Sequence, residues 1–214
     1  SLKELNGLTG LDTIKRDVED LMKYIRIEKL RQQRGLNVNP VALHSVFSGP
    51  PGTGKTTVAR LLGKIFKAMG LLKKGHVVEV DRSGLVAEYI GQTALKTNKI
   101  IDTALDGILF IDEAYSLAPE EDPRDFGKEA IETLLKRMED DRDRLIVIVA
   151  GYTQEMKRFI EANPGLQSRF TRYFFFEDYS PQQLSDIFIE ITKSREFRIE
   201  KEAIDKLLRY TGFL

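Results

Sequence analysis

Gly49-Pro50-Pro51-Gly52-Thr53-Gly54-Lys55-Thr56 fits the phosphate-loop pattern G-x-x-x-x-G-K-[ST], and its surroundings fit as well. His44 to Ser48 before it reads as a short buried strand, and Thr57 to Phe66 after it reads as an amphipathic helix. The chemistry needs that order. Glycines let backbone N–H groups turn inward around phosphate oxygens. The following helix aims its positive amino end at the same anion. Pro51, Gly52, Thr53, Gly54, Lys55, Thr56 and Thr57 are therefore candidate nucleotide-binding residues. Lys55 is suited to reach β- and γ-phosphates, and the Thr56 hydroxyl to hold Mg²⁺.

A second signal lies downstream, in Gly107-Ile108-Leu109-Phe110-Ile111-Asp112-Glu113. Four consecutive apolar residues read as a strand buried on both faces, as in a parallel sheet. Such sheets bind ligands at the carboxyl ends of their strands. Asp112 is the candidate metal-holding acid there, together with Thr56. Glu113, one residue on, is the candidate base that polarises water for attack on a γ-phosphate.

The 214 residues suffice for one α/β domain with an appendage. Lys plus Arg and Asp plus Glu are both 33, so a polyanion partner is not expected. The absence of Cys excludes disulfides and thiolate metal sites and suits a reducing compartment, so a cytoplasmic location is expected. No apolar run approaches the ~20 residues of a membrane span. Because the chain begins at Ser1 and ends at Leu214 without a terminating signal, a fragment of a longer protein is expected.

Asn6 to Leu11 is a glycine-punctuated loop, and Asp12 is a candidate cap for the helix after it. Ile14, Val18, Leu21, Ile25 and Leu30 form that helix's apolar stripe, ended by Gly35 before the loop Asn37 to Pro40. Its interspersed Lys and Arg read as a solvated face. His76 to Val80 is strand-like, and a helix spans about Ala94 to Leu105. The two histidines, His44 and His76, have no Cys or carboxylate partners nearby in sequence and are read as structural. Glu120 to Asp125 is a charged loop, followed by a helix over Lys128 to Met138. Leu145 to Ala150 is another buried strand, ending at Gly151-Tyr152-Thr153. A short helix from Gln154 stops at Asn163-Pro164-Gly165, and Tyr173 to Phe176 is a further strand. Ser180-Pro181 starts a helix reaching about Lys193, with another over Glu200 to Tyr210. Strands alternating with helices imply an α/β fold with a doubly wound parallel sheet. Residues 1–178 are read as the large nucleotide-binding domain, and residues 179–214 as a small, incomplete all-α lid.

The segments around Gly49 to Leu62, Tyr89-Ile90-Gly91-Gln92, Gly107 to Leu117, Ala150-Gly151-Tyr152 and Asn163 to Phe170 resemble the AAA+ ATPases of the CbbX and stage V sporulation protein K family. The resemblance covers nearly the whole chain. It implies ATP or ADP with Mg²⁺ at the interfaces of a homo-hexameric ring. It implies that Arg169 is an arginine finger entering the neighbour's site, with Arg172 a second candidate. It implies that Tyr89 and Ile90 are the pore-loop pair gripping a protein substrate, although alone the segment reads as core-facing. Gly10 and Leu11 match the loop that lines the adenine pocket. Tyr152 falls near the sensor-1 position, usually Asn or Thr, and Thr153 is the alternative. The family's sensor-2 arginine lies in a further lid helix without a match here.

The resulting expectation is an ATP-hydrolysing motor that remodels a protein. The alternative is a slow nucleotide-switched scaffold, such as a secretion or assembly component; the intact Lys55, Thr56, Asp112 and Glu113 favour turnover. A DNA-acting factor conflicts with zero net charge. A small-molecule kinase lacks an identifiable acceptor pocket.

Overall fold

The computed structural model describes residues 2–38, 41–89, 91–118, 126–200, 202–204 and 206–207. Five short strands form one parallel sheet: β1 (Ser45–Ser48), β2 (Val77–Val80), β3 (Gly107–Ile111), β4 (Leu145–Gly151) and β5 (Arg172–Phe175). Their order is β2-β3-β4-β1-β5, with every pairing parallel. The first strand thus sits inside the sheet, and the chain leaves it in one direction for β2 and later crosses it to reach β5.

Side-chain alternation builds two cores. Phe47, Ile108, Phe110, Ile148 and Phe174 face α2 (Asp12–Gln33) and α3 (Lys55–Ala68), preceded by the short α1 (Leu2–Asn6). Val46, Leu109, Ile111, Val147 and Val149 face the other side. There they meet residues of α4 (Arg82–Leu85), α5 (Thr93–Ala104), the 3₁₀ turn Ala114–Leu117, α6 (Gly127–Asp140), α7 (Thr153–Glu161) and α8 (Pro164–Arg169). The β3 and β4 side chains are buried along their whole length, as a sheet covered on both faces requires. Among the described residues, no helix is long and apolar enough to cross a membrane.

Several local readings need correction. Leu30 is 55% exposed, because five residues past Ile25 is about 140° away from the stripe. Asp12 is the first helical residue and not the cap; Leu11 takes the cap position in the left-handed region (φ 59°) without a side-chain bond. Asn163-Pro164-Gly165 both ends α7 and starts α8, since the Asn163 side chain accepts from the N–H groups of Gly165 and Leu166. Ser180 caps α9 (Pro181–Ser194) in a full capping box with Gln183. Of the helix expected over Glu200 to Tyr210, residues 202–204 and 206–207 are helical, Glu200 is not, and residues 201, 205 and 208–210 lie outside the described residues. So do the charged loop at Glu120 to Asp125 and Asn39-Pro40.

His44 is structural, as read. Its Nδ1 accepts the Val147 N–H at 3.0 Å, and its ring meets Phe170 edge-on at 6.2 Å. His76 Nε2 lies 2.7 Å from the Thr103 carbonyl. Burial, and then the charge of Arg169, push the His44 pKa down from 6.5 to about 4. The unfolded chain therefore takes up this proton below about pH 6.5, whereas the folded chain does so only near 4. Stability falls as pH drops through that window, by about 2 kcal/mol between pH 7 and 5. His44→Asn keeps an acceptor but does not titrate, so its urea-unfolding stability should fall less steeply over that range. Equal pH slopes for both proteins would contradict the assignment.

Candidate functional site

The carboxyl ends of β1, β3 and β4 converge on one cleft of about 340 Å³. Its lining joins residues separated by a hundred positions: Gly49, Pro51, Gly52, Gly54, Lys55, Thr56 and Thr57 from the phosphate loop, Asp112 and Glu113 after β3, and Gly151 and Tyr152 after β4. The loop leaves β1 at Gly49, whose N–H donates to the Gly151 carbonyl at 3.1 Å. It enters α3 at Gly54, which caps the helix at φ 90°. Only a glycine adopts that conformation cheaply, and Gly52 repeats it at φ 75°.

The cleft suits an anion. Lys55 Nζ donates to the loop's own Gly49 and Pro50 carbonyls, at 2.9 and 2.6 Å. It is thus a cation held over a glycine-rich loop and a helix amino end. Burial pushes its pKa down, while the nearby Asp112 carboxylate pulls it back up. Thr53 differs from its neighbours: its side chain is buried, and its hydroxyl donates to the Pro50 carbonyl at 2.8 Å, so it shapes the loop and does not line the cleft.

Asp112 continues the sheet edge, its N–H donating to the Val80 carbonyl at 2.8 Å, and its Oδ1 accepts the Glu113 N–H at 3.1 Å. Glu113 has φ 46°, a left-handed conformation that costs a non-glycine residue roughly 1 kcal/mol or more. That twist caps the 3₁₀ turn and leaves the Glu113 side chain exposed in the cleft beside Asp112. Thr56 and Asp112, both on this wall, are the residues that would hold Mg²⁺; a hydroxyl and a carboxylate are the hard oxygen donors it takes.

Gly10 and Leu11 sit beside the loop and not in the cleft's lining. A Cβ at Gly10 would lie 3.2 Å from the Tyr179 ring and 3.0 Å from Gln183 Nε2, and one at Gly54 would lie 3.7 Å from Leu11. Tyr179 and Gln183 therefore pack beside Gly10, and sequence reading missed both contacts. The Tyr179 hydroxyl donates to the Thr53 carbonyl at 3.2 Å, and burial pushes its pKa up, keeping it a neutral donor. Tyr152 lines the cleft and faces Tyr115 at 6.2 Å between ring centroids. Thr153 is exposed at the start of α7.

Two predicted residues lie away from the cleft. Tyr89 is 67% exposed between α4 and α5, which corrects the core-facing reading of its segment; Ile90 lies outside the described residues. Arg169 ends α8, ahead of the amino end of β5, near His44. It lies 3.6 Å from the exposed Glu139 carboxylate, and its buried Nε has no partner among the described residues. Arg172 is engaged within the chain: its Nε donates to the Ala42 carbonyl at 2.8 Å and its guanidinium lies 5.7 Å from the Tyr24 ring centroid.

The family model "ATPase family associated with various cellular activities (AAA)" matches residues 45–178, from the first residue of β1 to the residue before Tyr179. The chain belongs to the AAA family. This AAA chain is similar to stage V sporulation protein K of Bacillus subtilis, with 50% identity over 208 residues, 97% of this chain and 64% of that protein. It is 47% identical over 205 residues to the ESX-3 secretion system protein EccA3 of Mycobacterium leprae, covering 96% of this chain but 32% of the relative. The chain thus spans less than two thirds of either relative's length. Among solved structures, the FIGL-1 AAA domain in complex with ADP superposes with a TM-score of 0.62 at 18% identity, covering 95% of this chain and 65% of that one. That likeness is one of fold. The matched residues include every residue that lines the cleft.

Proposed function

We propose that the chain is the ATP-hydrolysing core of a ring-forming motor that remodels a protein substrate, with residues 179–214 beginning its lid and with the cytoplasm as its place of work. The observation that carries this reading is the position of Arg169. Strands β1 and β5 run parallel in register, Ser45 beside Arg172 and Ser48 beside Phe175. Arg169 therefore sits at the amino end of the sheet, at least ~10 Å of strand away from the chain's own phosphate loop. A partly exposed guanidinium at that end, in a long ion pair with Glu139, is unsuited to its own cleft and suited to another copy's.

The chain's residues divide the work. Backbone N–H groups from Gly52 to Thr57, with Lys55, hold the phosphates. Thr56 and Asp112 hold Mg²⁺, which supplies Lewis-acid stabilisation of phosphate charge. Glu113 orients and polarises the attacking water, and Arg169 of a second copy neutralises charge developing on the transferred phosphoryl group. Gly10 and Leu11 border the base, and Tyr152 or Thr153 reports on the γ-phosphate.

A route from the cleft to Tyr89 supports the mechanical part. Arg82, the first residue of α4, donates to the Ser116 carbonyl at 2.7 Å in the turn that Glu113 caps. Lys96 holds the Ser83 and Val86 carbonyls, at 2.7 and 3.0 Å. Movement at Glu113 is thereby carried to the segment bearing Tyr89. Tyr89→Ala should keep basal ATP hydrolysis within about two-fold and abolish its stimulation by a protein substrate, because an exposed residue contributes little to folding. Stimulation that survives the change would remove Tyr89 from substrate contact. Relatives named for sporulation and for secretion share this domain at similar identity, which supports a common engine whose client is specified elsewhere.

A further inference from the structure

The model of the AAA family ends at residue 178, and the next residue makes a contact that spans 126 positions. Tyr179 donates its hydroxyl to the carbonyl of Thr53, inside the phosphate loop. A planar trans peptide points its C=O and N–H in opposite directions, and the described chain has no cis bonds. Holding the Thr53 carbonyl on Tyr179 therefore turns the Gly54 N–H away from Tyr179. Gly54 lines the cleft, in the left-handed conformation that starts α3. A Cβ at Gly54 would lie 3.3 Å from the tyrosine oxygen, so the glycine also gives the hydroxyl its approach.

At its other end Tyr179 is fixed to α9. Ser180, its neighbour, accepts the Gln183 N–H at 3.2 Å, and Gln183 returns the bond by accepting the Ser180 N–H at 2.8 Å. Pro181 stiffens the first turn further. Tyr179 thus joins a pre-set helix start to a single peptide unit of the phosphate loop.

We propose that Tyr179 is a positioning residue that aims the Gly54 N–H into the phosphate cradle, so that phosphate binding and the placement of α9 depend on one another. This rests on the nucleotide reading of the cleft. The coupling runs both ways, as any linkage between two binding or folding events must. A phosphate that draws the Gly54 N–H inward strengthens the Tyr179 bond and orders the start of α9. A shift of α9 releases the Thr53 carbonyl and loosens the cradle.

Tyr179→Phe removes one oxygen and keeps the ring against Gly10. By calorimetry on the 214-residue chain, ADP should bind about five-fold more weakly to the variant, the worth of one neutral hydrogen bond, while AMP changes by less than about two-fold. In hydrogen exchange, ADP should protect the Gln183 and Leu184 amides in the parent chain and protect them less in the variant. Equal weakening of ADP and AMP would mean a role in holding the base or the hinge alone and would overturn the proposal, as would unchanged ADP affinity. Failure of the parent chain to bind ADP would overturn the nucleotide reading as well, so the two failures are distinct.

Discussion

Glu113→Gln is expected to lower the ATP hydrolysis rate by about 10²- to 10³-fold while changing ATP affinity by less than about two-fold. The split follows from the site. Glu113 lines the cleft beside Asp112, but the loop from Gly49 to Thr57, proposed to hold the phosphates, is built without it. Glutamine has the same shape and the same left-handed backbone requirement at φ 46°, so the 3₁₀ turn behind it persists. What disappears is the negative charge that polarises water. Steady-state phosphate release and nucleotide calorimetry on the same preparation separate the two effects. Near-normal turnover would place the base elsewhere. Loss of binding together with turnover would mean that Glu113 shapes the cleft.

Arg169→Ala is expected to be at least as severe for turnover, about 10³-fold, the lower end for an arginine finger in related phosphoryl-transfer systems. It should leave nucleotide binding by the isolated chain intact, because Arg169 lies at the far end of the sheet from that chain's cleft. Its effect on stability should be under about 1 kcal/mol, since its ion pair with the exposed Glu139 is long and solvent-screened. Arg169→Lys should recover little, because an ammonium lacks the planar fork that spans two phosphate oxygens. A variant that loses ATP binding in proportion to turnover would assign Arg169 a folding role through its neighbours His44 and Phe170.

The sheet and the glycine-rich wall of the cleft were legible because each rests on contiguous residues. The apolar runs before Asp112 and Gly151 leave no alternative to strands buried on both faces, and the loop between β1 and α3 carries its chemistry in eight adjacent positions. Parallel strands then bring their carboxyl ends together, so Asp112, Glu113 and Tyr152 reach one cleft without further information. Tyr179 was not legible for the opposite reason: its partner is 126 residues away, and nothing adjacent to it marks a ligand. The caps behaved similarly. Asp12 looks like a cap by type, yet the chain turns into α2 through Leu11 in the left-handed region, with the Leu11 side chain packed against the core. Asn163 serves two helices because its side chain faces forward, which composition does not reveal. The proposed trans role of Arg169 comes from resemblance; what the fold shows is that Arg169 lies at the opposite end of the sheet from its own cleft.

The most direct test of the central claim is a mixing experiment. Glu113→Gln retains Arg169, and Arg169→Ala retains Glu113, so neither alone has a complete site. If the site is built from two copies, equal amounts of the two inactive chains form some interfaces that pair an intact Glu113 with a partner's intact Arg169. The mixture is expected to hydrolyse ATP at a rate well above the sum of the separate proteins, rising more steeply than linearly with total concentration. A mixture no more active than its parts, with both chains folded and binding ATP and the parent chain active at a rate proportional to its concentration, would contradict it and leave a nucleotide site complete within one chain.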